Sequence, residues 1–200
     1  DLVDVRLHMN LFEAGQAGSD YDLRTIFDDS LAQVNPERAV TFVDNHDTQR
    51  GQALESTVEE WFKPAAYALI LLREQGLPCV FYGDYYGISG QYAQQNFKEV
   101  LDHLLAIRKD LAYGEQTDYF DDPNCIGWVR SGTDNQSPLA VLISNAQEND
   151  KTMFVGQEWA DQTFVDLLEN HPAQVTINAE GYGEFPVAAG SVSVWAVNTI

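Results

Sequence analysis

The stretch AVTFVDNHDTQR, residues 39–50, packs two carboxylates, an amide and an imidazole into four consecutive positions, Asp44, Asn45, His46 and Asp47, with Gln49 close behind. Those residue types allow three kinds of chemistry. Asp and Asn can start a turn and cap nearby amides, with His46 filling space. Asp and His can ligate a metal, although no H-x-x-x-H pair or second Asp/His cluster offers the remaining ligands. Carboxylate and imidazole together can also grip adjacent sugar hydroxyls, and a carboxylate can stabilise an oxocarbenium-like transition state. What singles the cluster out is the run before it. Val40, Phe42 and Val43 read as a strand buried on both faces, which ends abruptly where water or a polar ligand begins.

The elements that would position the cluster follow from periodicity. LVDVRLHMNL (2–11) reads as a strand. DYDLRTIFDDSLAQVNP (20–36) carries Leu23, Ile26, Phe27 and Leu31 at helical spacing and stops at Pro36. Ser56 with Glu59 fits a capping box on a short turn. Pro64 suits the first turn of the helix PAAYALILLREQ, closed by Gly76 and Pro78. CVFYGD (79–84) is the next buried strand. Asn96 and Glu99 open an amphipathic helix bearing Phe97, Val100, Leu101, Leu104 and Leu111, which ends at Gly114. Strand and helix in alternation is the pattern of a parallel α/β unit. After about Thr117 the texture changes. IGWVRSG, LAVLISN, KTMFVG, TFVDLL, AQVTINAEGYGEFPV and SVSVWAVN are short strand candidates between Asn, Asp, Gly and Pro clusters, which predicts an antiparallel β-sandwich. The expected division is 1–116 and 117–200.

Composition excludes several classes. Of 200 residues, 44% are hydrophobic, enough for a real core, and 31 acidic against 11 basic residues leave a net charge of -20. Such a field repels phosphate backbones and anionic lipid, which argues against nucleic-acid and membrane-surface partners; a neutral sugar would not feel it. No apolar run approaches the roughly 20 residues that cross a bilayer, and the opening DLVDVRLHMN lacks a signal-peptide layout. Cys79 and Cys125 look like free thiols, which points to a reducing, cytoplasmic setting, with secretion as the alternative.

FVDNHDTQ (42–49) resembles the fourth short sequence signature of the α-amylase family of glycoside hydrolases. YDLR (21–24), the long run QALESTVEEWFKPAAYALILLREQGLPCVFYGDYYG (52–87) and EGYGEF (180–185) are similar to the corresponding parts of bacterial liquefying and cytoplasmic α-amylases. The resemblance implies the C-terminal part of a (β/α)8 barrel, strands 6–8 with their helices, followed by a Greek-key β-sandwich. The polar cluster would then lie at the barrel's C-terminal face, where active sites are built. It implies retaining hydrolysis of α-1,4-glucosidic bonds in starch, glycogen and maltooligosaccharides. Asp47 matches the family's transition-state-stabilising aspartate, His46 the histidine on the same sugar, and Gln49 a further substrate contact; Asp44 and Asn45 would be supports.

The departures carry as much weight. A retaining glycosidase needs a nucleophile and a separate acid/base carboxylate, and neither family signature occurs here, so the chain alone is expected to be inactive. The family's principal calcium site depends on an inserted domain also absent from these residues. A further calcium between barrel and sandwich would meet Asn124 and Asn145 where charged ligands are expected, so no metal or cofactor is assigned to this chain, although the parent enzyme can use calcium. The competing reading is a carbohydrate-binding or purely structural sandwich module. It would need exposed aromatic faces, whereas Trp128, Trp159 and Trp195 lie in strand-like runs and are expected in the core.

Overall fold

The computed structural model describes residues 1–197. Three short strands, β1 (Leu2–Val3), β2 (Ala39–Phe42) and β3 (Leu77–Cys79), form a parallel sheet in that order, with Leu2 opposite Ala39 and Val40 opposite Leu77. Parallel neighbours need long crossovers. These are built from α1 (Val5–Ala17) with α2 (Leu31–Val34), and from α3 (Lys63–Leu71); α4 (Tyr82–Tyr86) and α5 (Lys98–Leu111) follow β3. Helix α3 is buried on every side except at Pro64, so its composition is apolar all round. By contrast, α5 buries only the stripe Leu101, Leu104 and Ile107.

Four sequence expectations are corrected. The strand read over 2–11 stops at Val3, because Asp4 caps a helix: its carboxylate accepts from the amides of Leu7 (3.1 Å) and Ala32 (2.7 Å). The apolar residues behind it, Leu7, Leu11 and Ala14, then recur at helical spacing. The helix read over 20–36 breaks into a 3₁₀ turn and the single turn α2, because Asp22 and Ser30 each cap locally and Asp29 sits at φ 60°. CVFYGD is strand only to Cys79, and its Tyr82–Asp84 begins α4. Ser56 and Glu59 form no capping box: Ser56 Oγ donates to Leu54 O (2.9 Å), and Glu59 accepts from the side chain of Gln16.

The second unit is an antiparallel sandwich. Its larger sheet has the order β4 (Gln116–Tyr119), β5 (Cys125–Arg130), β6 (Leu139–Ser144), β11 (Val192–Val197), β8 (Thr163–Asp166) and β9 (Gln174–Thr176). The smaller sheet pairs β7 (Asn149–Phe154) with β10 (Tyr182–Val187). Asn198, the end of the expected run SVSVWAVN, lies outside the described residues. Strands β5, β6 and most of β11 are buried on both faces, which explains why they read as unbroken apolar runs. One face of the large sheet, with Cys125, Val129, Ala140, Leu142 and Trp195, packs on Met153, Phe185 and Val187 of the small sheet. The other, with Ile126, Trp128, Val141, Ile143 and Val194, joins Leu69, Leu72 and Leu104 of the α/β unit in a single core.

Candidate functional site

The polar cluster lies just beyond the carboxyl end of β2. A cleft of about 460 Å³ opens there, lined by Val3 at the end of β1 and Val5 beyond it, by Phe42, Asn45, Asp47 and Thr48, and by Leu54 to Ser56. Parallel α/β sheets bind ligands outside the carboxyl ends of their strands.

A local turn sets the backbone. Asn45 Oδ1 accepts from the amides of Asp47 (2.8 Å) and Thr48 (3.0 Å), and Thr48 Oγ1 accepts from the Asn45 amide (3.0 Å). These bonds occupy the Asn45 side-chain oxygen and leave the Asp47 carboxylate out of the turn. The Asp47 side chain is 58% exposed and, among the described residues, meets only the His46 imidazole, 3.5 Å away; His46 itself is 82% exposed. Gln49 is half-buried, its amide bonded to Asn45 O (3.1 Å). Of these three residues Asp47 lines the cleft, whereas His46 and Gln49 lie outside its lining.

Beneath the turn lies a charged cluster that sequence reasoning missed. Lys63 is fully buried and sits between two carboxylates: Asp44 Oδ2 at 2.8 Å, and Asp84, with which it forms a short contact. The Asp44 contact is close enough for charge pairing but off the alignment of a hydrogen bond. Asp84 also accepts from Tyr67 Oη (2.5 Å) and Gln94 Nε2 (2.5 Å). Asp44 Oδ1 accepts from Thr48 Oγ1 (3.2 Å) and the Val58 amide (3.3 Å). The connected path Asp84–Lys63–Asp44–Thr48–Asn45 thus anchors the turn carrying Asp47 to α3 and α4. Burial raises the Asp44 carboxyl to about 6, opposed by the Lys63 ammonium and reinforced by Asp84. Burial, and next the Asp84 charge, push the Tyr67 phenol well above its ordinary value. A lysine inside the apolar run WFKPAAYALIL was the available signal, since a lysine in a buried helix needs carboxylate partners.

His8 also lines the cleft. Its Nδ1 lies 2.6 Å from Val43 O and its Nε2 2.8 Å from Ser56 Oγ, and its ring stacks on Phe42 with centroids 5.0 Å apart. Burial lowers its pKa, against the opposing hydrogen bond to Val43 O, so it is neutral near pH 7. Only its place in a helix reveals this role, which a strand over 2–11 would hide.

Between the units, Asn145 Nδ2 donates to Gly18 O and Tyr21 O (2.8 Å each), and Asn124 Nδ2 donates to Ser19 O (2.8 Å) and Asn145 Oδ1 (2.9 Å). Amide nitrogens here face carbonyl oxygens that a cation would otherwise draw, so this donor set does not suit calcium. Of the tryptophans expected in the core, Trp128 and Trp195 are fully buried and Trp159 is half-buried.

Residues 139–196 match the family described as alpha-amylase C-terminal. The chain is 50% identical over 196 residues to an α-amylase of Geobacillus stearothermophilus, covering 97% of this chain and 36% of that protein. It is 44% identical to the cytoplasmic α-amylase of Escherichia coli, covering all of this chain and 42% of that one. The chain thus spans roughly two fifths of the length of these relatives. The fold is shared with the crystal structure of AmyP in complex with maltose, at TM-score 0.65 and 15% identity, over 98% of this chain and 50% of that one.

Proposed function

For a chain similar through both its units to the C-terminal part of α-amylases, we propose that the whole protein is a retaining α-1,4-glucan endohydrolase acting on starch, glycogen or maltooligosaccharides. The parallel unit is then the last three strands of a (β/α)8 barrel with their helices. Asp47 stabilises the oxocarbenium-like transition state, and His46 and Gln49 hold the sugar beside it. The observation that carries this reading is the anchored turn: a braced backbone presents a carboxylate whose hydrogen-bonding capacity is unspent, at the mouth of a cleft beyond the strand ends. Fixed groups aimed at developing charge are what such a reaction needs. The full burial of Trp128 and Trp195 weakens the sandwich-module alternative.

The reaction requires a nucleophile and an acid besides Asp47. The other carboxylate lining the cleft, Glu55, accepts from the Gly51 amide (2.7 Å). The chain alone is therefore expected to release no reducing sugar from starch, and calcium, where the whole protein uses it, is held by residues other than Asn124 and Asn145. The free thiols of Cys79 and Cys125 support a cytoplasmic location. In the whole protein, Asp47→Asn should lower kcat on starch about 10²-fold, the roughly 3 kcal/mol expected of a preorganised charge, while oligosaccharide affinity changes little. Near-normal kcat in that variant would refute the assignment, and so would turnover by the purified 200-residue chain.

A further inference from the structure

The chain carries only 11 lysines and arginines against 31 acidic residues, yet four of those cations line one cavity. Arg73, just beyond α3, Arg108 and Lys109 in the last turn of α5, and Arg130 at the end of β5 surround a space of about 360 Å³ between the α/β unit and the sandwich. In so acidic a protein, gathering cations there works against mutual repulsion, and the arrangement calls for a compensating charge.

Only part of that charge is neutralised internally. Arg73 is paired bidentately with Asp118, at 2.8 Å for both bonds. Arg108 and Arg130 have no carboxylate partner within ion-pair distance among the described residues. Arg108 donates to Leu71 O, and Arg130 donates twice to Gly114 O (3.2 and 2.9 Å). Backbone carbonyls satisfy guanidinium hydrogens but bring only partial charge. Lys109 also lacks an ion pair among the described residues, and Glu74 is the one carboxylate in the lining. Four cations set against Asp118 and Glu74 leave two positive charges. Arg130 is only 7% exposed, so its charge is held away from water. Burial lowers the pKa of both Arg108 and Arg130; for Arg130 the Glu74 carboxylate opposes the lowering, while the neighbouring Arg108 and Arg73 add to it.

We propose that this cavity is a binding site for a phosphate-type dianion, free or as the monoester of a small molecule, held by Arg108, Lys109 and Arg130. Planar guanidinium groups match tetrahedral oxyanions bidentately, and the ammonium adds a point charge from the rim. The cavity is larger than inorganic phosphate needs and leaves room for a small esterified group. The site lies apart from the Asp47 cleft and shares no lining residue with it, so it stands whether or not the glucan reading holds.

The test titrates the purified chain at pH 7.5 with inorganic phosphate, with glucose 6-phosphate, and with sodium chloride at matched ionic strength, following thermal unfolding and binding heat. Phosphate should raise Tm by about 2–4 °C beyond chloride. Tighter binding of the sugar phosphate would identify an esterified ligand, and tighter binding of inorganic phosphate the free ion. Arg108→Gln should weaken binding about tenfold, and Lys109→Gln, which alters only an exposed side chain, about threefold. Phosphate acting no differently from chloride would overturn the proposal. So would a Lys109→Gln protein of native near-ultraviolet circular dichroism that binds phosphate like the parent.

Discussion

Replacing Asp44 by asparagine tests the buried cluster under the Asp47 turn through its pH dependence. Burial raises the folded-state pKa of Asp44 from 3.8 to about 6. A carboxyl whose folded pKa is raised holds its proton in the native state over a window where the unfolded chain has lost it. Its ionisation therefore destabilises the fold as pH rises from about 4 to about 6, and the cost is constant above that window. The difference of about 2 units corresponds to about 3 kcal/mol at neutral pH, of which about 2 kcal/mol is recovered by pH 4.5. The amide that replaces the carboxyl has no such proton to lose. The stability of the parent minus that of Asp44→Asn should accordingly grow by about 2 kcal/mol between pH 7.5 and 4.5, which urea unfolding at several pH values would measure. Differencing the two proteins removes the contribution of the other acidic groups. A flat difference would refute the reasoning. A difference that shrinks toward acid would show that pairing with Lys63 outweighs desolvation, reversing the sign.

Three further outcomes follow from neighbouring features. Asn45→Ala removes the acceptor for two amides of the turn, and should cost about 1 kcal/mol and speed hydrogen exchange at Asp47 and Thr48 about tenfold; unchanged exchange would show that the turn does not depend on that side chain. Gly51→Ala puts a methyl into the Tyr92 ring at a φ of +81°, so unfolding should show a loss of about 1–3 kcal/mol, part of it restored by Tyr92→Ser. Replacing both Asn124 and Asn145 by Asp sets carboxylates against the carbonyls of Gly18, Ser19 and Tyr21. It should cost about 3 kcal/mol or more in a chelator, with calcium restoring Tm in the variant and leaving the parent unchanged.

How far the sequence could be read depended on what kind of force set each feature. Strand β2 and its polar end were legible because a largely buried strand leaves a mostly apolar run and the change of type at Asp44 is abrupt. Helix α1 was not, since Val3, Val5 and Leu7 fit a two-residue period as well as Leu7, Leu11 and Ala14 fit a helical one; the tie is broken by Asp4, whose carboxylate reaches Ala32, 28 residues away. The Lys63 cluster depends on carboxylates 19 and 21 positions away, on elements that only the fold brings together. Residues 79–84 misled for a local reason: their composition suits a strand, but Phe81 is extended and α4 starts immediately after it. Conversely, the exposed pair Asp47 and His46 stood out in the sequence, because polar residues directly after a buried strand show as an interruption of pattern.

The two-faced sheet has an evolutionary corollary. Ile126, Trp128, Val141, Ile143 and Val194 are as deeply sheltered by the α/β helices as Phe185 and Val187 are by the small sheet. A cut near residue 116 would strip one face of the large sheet and leave a broad greasy wall facing water. Shuffling by gene fusion favours pieces that separate along polar seams, and the centre of this seam is apolar, with polar contacts only at its edges. The two units should therefore descend as a pair, acquiring substitutions on either side of the sheet in step, and a sandwich moved onto a foreign scaffold would need that wall repainted with polar side chains before it could remain soluble.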